Sequence, residues 1–205
     1  MGGSLATGNT DRTAFDATLK ARFRTERLED KYLLSVEFAD ENSTTTAQRI
    51  LAAIESRVDF TEDNYLFGYL EYDDDRFSGF NYEINAAIGI GYRVNFSSDL
   101  LISAQLGPGF RLSKREDTNQ SESQETVRGS VGLEYSLSKN ALITDDIIAT
   151  WDAERFKVEN TFALTSKLLD NLSSRVSFNI RHNDTPPIGT KSTDTLTRIS
   201  IIYEF

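Results

Sequence analysis

Polar and apolar residues alternate along almost the whole chain, and this period of two restricts the fold more than any other feature. Between residues 15 and 24, Phe15, Ala17, Leu19, Ala21 and Phe23 are separated by charged residues and one threonine. Alternate residues fall on one face of a β-strand, whereas a helix spreads them around its axis. The pattern recurs in about eleven segments, and residues 4–9 add a short first one. We therefore predict an all-β chain of about twelve antiparallel strands.

The predicted connections between these strands alternate in length. Tight turns are expected at residues 28–30, 61–64, 95–99, 138–140 and 170–171, where Asp and Asn would supply left-handed conformers. Longer polar connections are expected at residues 40–48, 73–80, 114–125 and 183–194, whereas those at 8–12 and 152–155 are short. Tight turns at one rim and longer loops at the other are the arrangement of a bacterial outer-membrane barrel.

Alternation by itself does not say which face of the strands meets water, because a soluble barrel such as a lipocalin alternates with its apolar face inward. Three features favour a membrane barrel over a soluble barrel or sandwich. The strands mostly have about nine to eleven residues or more, the span of a tilted transmembrane strand. Aromatic residues gather near strand ends, as in the girdles of membrane barrels. The terminal Phe205 is in phase with the apolar face and resembles the signal by which outer-membrane proteins are recognised for assembly.

These features predict an antiparallel up-and-down transmembrane β-barrel that forms a single domain over residues 1–205 in the bacterial outer membrane. Its expected partners are the lipid bilayer, lipopolysaccharide and the outer-membrane assembly machinery, and the oligomeric state is left open. No signal peptide is visible, and Met1-Gly2-Gly3 is interpreted as an artificial start. No run of eighteen apolar residues occurs, so no transmembrane helix is expected.

Composition excludes several classes of function. The net charge of −10 argues against nucleic acid, because phosphate binding needs clustered Lys and Arg. The absence of Cys removes thiolate metal sites and cysteine nucleophiles, and a single His makes a zinc site hard to build. We accordingly expect no cofactor, no metal site and no catalytic residue.

The polar face of the strands is predicted to line the lumen of the barrel, and its positive and negative charges nearly cancel. The negative surplus then lies mainly in the loops, and a balanced lumen favours cross-strand ion pairs over a ring of like charge. The main lumen-lining candidates are Lys20, Arg22, Arg49, Arg57, Glu71, Glu83, Arg93, Arg111, Arg128, Glu134, Glu159 and Arg198.

Four glycines also fall on the lumen face, on two adjacent strands: Gly89, Gly91, Gly107 and Gly109. Glycines at such positions mark sharp curvature or space for a bulky partner. Arg93, Arg111 or Tyr69 could fill that space, or the glycines could leave a pocket or a path. No strand–turn–helix unit surrounds them, which excludes a dinucleotide fingerprint.

Other polar groups favour ordinary surface roles over sites. Asp73, Asp74 and Asp75 could hold a divalent ion but lack the spacing of a calcium loop. Asp145 and Asp146 place one carboxylate on each face of their strand. His182 is predicted to point outward at the long-loop rim, and lipid hydrolysis would need a nucleophile beside it. Asp184 stands where a serine would be needed, and Ser192 on the next strand has nothing to order it.

Several stretches resemble the YdiY-like, or salt-induced, outer membrane proteins, a family of unknown function. They are residues 7–11 (TGNTD), 75–80 (DRFSGF), 89–93 (GIGYR), 107–111 (GPGFR), 181–183 (RHN), the prolines at 186–187 and residues 189–191 (GTK). The resemblance covers nearly the whole chain and implies a Gram-negative outer-membrane location with a cleaved signal peptide, and no established substrate. Family members have more strand before the first of these stretches, so a shortened first strand is expected.

Two functions remain open at this stage, with a third less favoured. The barrel could pass ions or small hydrophilic solutes through a narrow, charge-lined lumen. It could instead be closed and serve a structural or stress-related role in the envelope, contacting lipopolysaccharide or proteins through its acidic loops. A lipid-modifying enzyme is the third, and the residues around His182 argue against it.

Overall fold

A computed structural model describes residues 2–6, 12–42, 44–116, 118–186 and 191–203. Within these residues the chain forms twelve β-strands, and no helix there is long and apolar enough to cross a membrane. The strands are β1 (Gly2–Ala6), β2 (Arg12–Arg24), β3 (Leu28–Glu41), β4 (Thr44–Asp59), β5 (Asn64–Asp75), β6 (Phe80–Asn95), β7 (Leu100–Arg115), β8 (Ser121–Ser138), β9 (Ala141–Trp151), β10 (Phe156–Leu169), β11 (Leu172–Asn183) and β12 (Thr193–Tyr203).

Each strand is hydrogen-bonded to the next one along the chain, in the order β1 to β12 within one sheet. The pairs β1–β2, β2–β3 and β3–β4 are antiparallel, as are those from β8 to β12. Consecutive antiparallel pairing is the up-and-down arrangement, in which every connection is a hairpin. The all-β, antiparallel up-and-down fold predicted by the alternation is therefore confirmed.

Charged and apolar side chains lie on opposite faces of the strands, and the exposed face is the apolar one. Leu19 and Ile88 are each 66% exposed, and Ile199 is 75% exposed. The alternate positions carry buried polar groups, including Glu83 at 3% and Arg111 at 4% exposure. A soluble protein buries its apolar side chains and exposes its charged ones, whereas this sheet does the reverse. We call the two surfaces the apolar face and the polar face.

The chain divides into two compact units. The first comprises Met1–Val58, Phe67–Ile88 and Gly109–Glu125. Its β2–β3 register places Ala17 opposite Val36 and Leu19 opposite Leu34, so the apolar face is continuous between these strands. Aromatic rings reinforce that face, with the Tyr72 and Tyr82 rings stacked at 6.2 Å between centroids.

The second unit comprises Asp59–Leu66, Gly89–Pro108 and Thr126–Phe205. Its β10–β11 register places Phe162 opposite Phe178 and Leu164 opposite Val176, again on one face. Two small irregularities interrupt the ladders, between Ser136 and Ser138 on β8 and between Lys167 and Leu169 on β10. Both lie close to a tight turn, where a bulge adjusts the twist of the hairpin.

The contrast in connection length is weaker than predicted, because several strands continue into the expected loops. Thr44 and Ser121 already begin strands, although the sequence placed them inside the loops at 40–48 and 114–125. Both faces are polar in these extensions, so the hydrophobic pattern no longer marks the strand while the backbone ladder continues. The connection at residues 184–192 remains the longest between described strands.

The turn chemistry also differs from the prediction. The non-glycine residues of the described chain with a left-handed backbone are Asn42 and Asn119, which lie in the other set of connections rather than in the tight turns. In the tight turns, hydroxyl groups near the turn start accept backbone N–H groups two or three residues later. Thr61 Oγ1 accepts from the Asn64 N–H at 2.9 Å, and Ser138 Oγ from the Asn140 N–H at 3.2 Å. Ser and Thr thus supply the local hydrogen bonds that shape these turns.

Candidate functional site on the polar face

Opposite charges face one another across β3 and β4 of the first unit. The register pairs Glu29 with Arg57, Lys31 with Glu55 and Glu37 with Arg49. Directly opposed residues of an antiparallel pair are close enough to interact, and such charge pairs contribute about 0.2–1 kcal/mol each. The register of this hairpin therefore places opposite charges side by side, and Arg57 forms its ion pair with Glu55 of its own strand.

A bidentate ion pair between Arg49 and Asp73 joins β4 to β5. Arg49 Nε lies 2.7 Å from Asp73 Oδ1, and Arg49 Nη2 lies 2.7 Å from Asp73 Oδ2. The two side chains are only 11% and 15% exposed. This geometry matches the planar fork of a guanidinium to both oxygens of a carboxylate, which is the strongest form of such a pair.

Two of the three consecutive aspartates at 73–75 are already engaged by other groups. Asp73 binds Arg49, and Asp75 Oδ1 accepts the backbone N–H of Phe77 at 2.9 Å. Among the residues that the structure describes, no group of three acidic, histidine or cysteine side chains is placed to hold a metal ion.

A hydrogen-bonded network surrounds Glu71 on the same face. The Tyr69 hydroxyl donates to Glu71 Oε2 at 2.5 Å, and Asn85 Nδ2 donates to Glu71 Oε1 at 3.0 Å. Further along this face, Arg111 Nε lies 4.0 Å from Glu83 Oε1, and both side chains are at most 5% exposed. The buried carboxylates of the first unit thus have a donor or a cation beside them, which offsets the cost of removing them from water.

The polar face of the second unit carries a cluster centred on Tyr65. Tyr65 has no exposed surface, and its hydroxyl donates to Gln105 Oε1 at 3.3 Å. The guanidinium carbon of Arg93 lies 4.8 Å from the centroid of the Tyr65 ring, within cation–π range, and Arg93 also forms an ion pair with Asp59. We call Tyr65, Gly91, Arg93, Asp59 and Gln105 the Tyr65 cluster.

The Tyr65 ring packs directly against the backbone of Gly91. A Cβ at position 91 would lie 2.1 Å from Tyr65 Cζ and 2.2 Å from Cε2, so only glycine lets the ring lie there. The space at this predicted lumen glycine is filled by Tyr65, and not by Arg93, Arg111 or Tyr69 as the sequence suggested. Gly107 is buried and Gly89 and Gly109 are half-buried on the same side of their strands.

Sequence reasoning missed the aromatic side chains that β5 carries on the polar face. Tyr65 and Phe67 are 0% and 1% exposed and are the largest fully buried side chains of the described chain. The alternation predicts Leu66, Gly68 and Leu70 on the apolar face of this strand, which assigns the alternate positions to the polar face. The signal was available, because residues 65–70 read YLFGYL, with an aromatic residue at each position of the face opposite Leu66, Gly68 and Leu70.

The remaining lumen candidates lie on the polar face with varied burial. Arg128 is 5% exposed, whereas Lys20, Arg22 and Glu134 are exposed and Arg198 is half-buried. Arg22 forms an ion pair with Glu29, and Arg181 Nε lies 3.8 Å from Glu159 Oε2. The predicted assembly signal, Phe205, lies outside the described residues.

The His182 region is organised by hydrogen bonds to hydroxyl and backbone groups. His182 Nδ1 lies 2.9 Å from the hydroxyl of Thr193, not from Ser192. Asp184 Oδ1 accepts the Phe156 N–H at 2.8 Å and the Thr185 hydroxyl at 2.9 Å. The backbone hydrogen bond from Phe156, then the one from Thr185, holds the pKa of Asp184 below its usual value. Asp184, which directly follows β11, is therefore ionised where it accepts the hydrogen bond from Phe156, the first residue of β10.

The class of protein follows from comparing this sheet with solved structures. The NanC porin superposes with a TM-score of 0.61 over 99% of this chain and 97% of that one, at 8% sequence identity. The translocator domain of the autotransporter NalP from Neisseria meningitidis gives 0.55 over 99% and 84%, at 16% identity. The KdgM porin gives 0.50 over 96% and 92%, at 13% identity. The chain has the fold of porin and translocator barrels.

The family follows from sequence. The chain belongs to the family described as "Protein of unknown function, DUF481", whose model matches residues 1–205. It is 28% identical over 165 residues to "Uncharacterized protein YdiY" of Escherichia coli strain K12, a match that covers 79% of this chain and 64% of that protein. The resemblance to the YdiY-like family is thereby confirmed, and the chain spans less than two thirds of the length of that relative.

We predict that Gly91→Ala is destabilising only while Tyr65 is present. In the wild-type background the new methyl group collides with the ring, and overpacking of this kind costs about 1–3 kcal/mol. In a Tyr65→Ala background the collision is absent, so the same change should cost less than about 0.5 kcal/mol. The measurement is a double-mutant cycle of the free energy of unfolding in detergent.

Gly68→Ala is the matched control for this cycle, because a Cβ at position 68 meets no atom within 4 Å. Its effect should be small and the same in both backgrounds. Equal costs of Gly91→Ala with and without Tyr65 would show that the ring does not rest on Gly91.

A second prediction concerns the ion pair between Arg49 and Asp73. Arg49→Gln should lower the free energy of unfolding by about 1–3 kcal/mol, because it leaves a mostly buried carboxylate without its cation. Adding Asp73→Asn should recover part of that loss. Arg115→Gln is the control: its pair with Glu122 is 45% and 29% exposed, so its loss should cost less than about 0.5 kcal/mol. A double variant no more stable than Arg49→Gln would contradict the pairing.

Proposed function

We propose that this protein is an outer-membrane β-barrel whose polar face lines a narrow channel for ions or small hydrophilic solutes. The observation that carries the proposal is the inverted distribution of side chains. Large hydrophobic residues are exposed along one face of the strands, while charged residues such as Glu83, Arg111 and Arg128 are buried on the other. Lipid on the apolar side and water on the polar side satisfy both faces at once.

Strand length and aromatic placement support the membrane location. Strands β2 to β12 have 11 to 18 residues, enough for the ~9–11 that cross a bilayer at a tilt. Aromatic rings on the apolar face lie near strand ends, including Tyr32, Tyr72 and Trp151, where girdles of membrane barrels contact the headgroups. The fold shared with porins supports closure into a barrel of twelve strands in the bacterial outer membrane.

A channel is favoured by the number of strands, because twelve strands enclose more space than the eight whose interior is filled by side chains. Pairs such as Arg49 with Asp73 keep the lining hydrophilic while cancelling its net charge, so that neither sign of ion meets a large barrier. Two of the similar folds are named porins, and KdgM has also been solved with an oligogalacturonate. For this chain those names support passage of small hydrophilic solutes and do not identify one.

A closed barrel with a structural or stress-related envelope role is the second candidate. The observation that favours it is the burial of Tyr65 and Phe67 on the polar face, because aromatic rings fill space that water would otherwise occupy. Lipopolysaccharide and the assembly machinery are proposed partners in either case. We propose no catalytic role.

Planar-bilayer recording of the refolded protein tests the channel. Discrete, reproducible conductance steps are expected. Under a salt gradient the reversal potential should show a preference for cations, because the net charge of −10 resides mainly in the loops. Silence, with insertion verified by protection from protease in liposomes, would instead support the closed barrel.

The orientation of the faces is tested by adding one positive charge to either side of β6. Ile88→Lys places an ammonium group on the apolar face near the middle of the strand, and should lower the free energy of unfolding in lipid by about 2–4 kcal/mol. Asn85→Lys is the matched control on the polar face. Its ammonium group lies beside Glu71, so its cost should stay below about 1 kcal/mol. The reverse order of costs would mean that the apolar face does not meet lipid.

A further inference from the structure

We propose that Tyr65 forms the constriction that limits flow through this channel and that Gly91, Arg93 and Gln105 hold its ring in place. This inference rests on the channel proposed above. It assigns a conductance-determining role to a residue that sits among charged and polar side chains on the face expected to meet solute.

The burial of Tyr65 is the first observation. An aromatic ring on the polar face of a hydrophilic channel would be expected to stand in water, yet Tyr65 has no exposed surface. The ring is therefore packed on the strand surface and surrounded by side chains. These groups fill space on the polar face, so water and hydrated ions cannot pass through the volume that they occupy.

The second observation is that the Tyr65 ring packs against the backbone of Gly91. The Tyr65 ring occupies the space where every other residue at position 91 would have its Cβ. Glycine in the middle of a strand weakens it, so this residue is best explained by the close approach that it permits. The close approach fixes the depth at which the ring lies, and so fixes the space that it fills on the polar face.

The contacts of Arg93 are the third observation. Its guanidinium group is within cation–π distance of Tyr65 and forms an ion pair with Asp59, while Arg93 Nε is buried with no hydrogen-bond partner among the described residues. The position of this cation thus depends on the ring and on Asp59. With the Tyr65 hydroxyl bonded to Gln105, the ring is held at its edge and on its face.

The experiment compares single-channel conductance of the wild-type protein with Tyr65→Ala, Tyr65→Phe and Leu66→Ala. Tyr65→Ala removes the ring and should raise the conductance about twofold or more. Tyr65→Phe keeps the ring and loses only the hydroxyl contact, so its conductance should be close to the wild type. Leu66→Ala is the matched control: the neighbouring side chain is 49% exposed on the apolar face, and its removal should leave the conductance unchanged.

The outcomes separate this inference from the proposed function. If the wild type conducts and Tyr65→Ala conducts equally, the constriction is wrong and the channel stands. If the wild type is silent and Tyr65→Ala conducts, Tyr65 is the constriction and it closes the path fully. If both are inserted and silent, the channel and the constriction both fail. Should Tyr65→Ala not refold, Tyr65→Val, a strong strand former, takes its place with the same expectations.

A second readout does not depend on ion flow. The chain has no cysteine, so a thiol introduced at Gln105 is modified without background. Gln105 is 6% exposed, and removal of the ring should raise the rate at which a charged, water-soluble thiol reagent modifies Gln105→Cys by about tenfold. An unchanged rate in the Tyr65→Ala background would show that the ring does not bar access to this part of the polar face.

Discussion

Backbone pairing in the sheet fixes which side chains can meet, and the rest of the structure depends on that register. Along a strand, successive side chains alternate between faces, so a slip of one residue would move every charge to the apolar side. In β3 and β4 the observed register sets Glu29 against Arg57 and Lys31 against Glu55. The apolar pattern and the charge pattern therefore select the same pairing, and this agreement gives the hairpin a single favoured alignment.

β5 differs from this arrangement, because it carries buried aromatic rings on the polar face. Many polar positions carry charges that pair with neighbours, as Arg49 does with Asp73 near the far end of this strand. At the other end the same face carries Tyr65, a large ring that needs a glycine beneath it and a cation beside it. Residues that contradict the local pattern and have dedicated partners are those most often retained for a function.

The sequence was sufficient to predict the strands, their faces and the pairing of charges, because all three follow from the period of two. It was not sufficient to predict where strands end beyond the apolar band. Thr44 and Ser121 extend the ladder through residues that are polar on both sides, and no periodic signal marks them. The sequence also could not identify Tyr65 as the residue that packs on Gly91, because this contact depends on the relative register of separate strands.

Charge pairing on the polar face also determines where selectivity in the proposed channel arises. Asp59 and Arg93 cancel beside Tyr65, as Arg49 and Asp73 do in the first unit, so the lining contributes little net field. The surplus negative charge lies mainly in exposed connections such as residues 60–63, which contain Glu62 and Asp63 and no cation. Exposed charges are screened within about 8 Å at physiological ionic strength. A cation preference that comes from the loops therefore weakens as salt is raised, whereas the width imposed by Tyr65 does not change with salt.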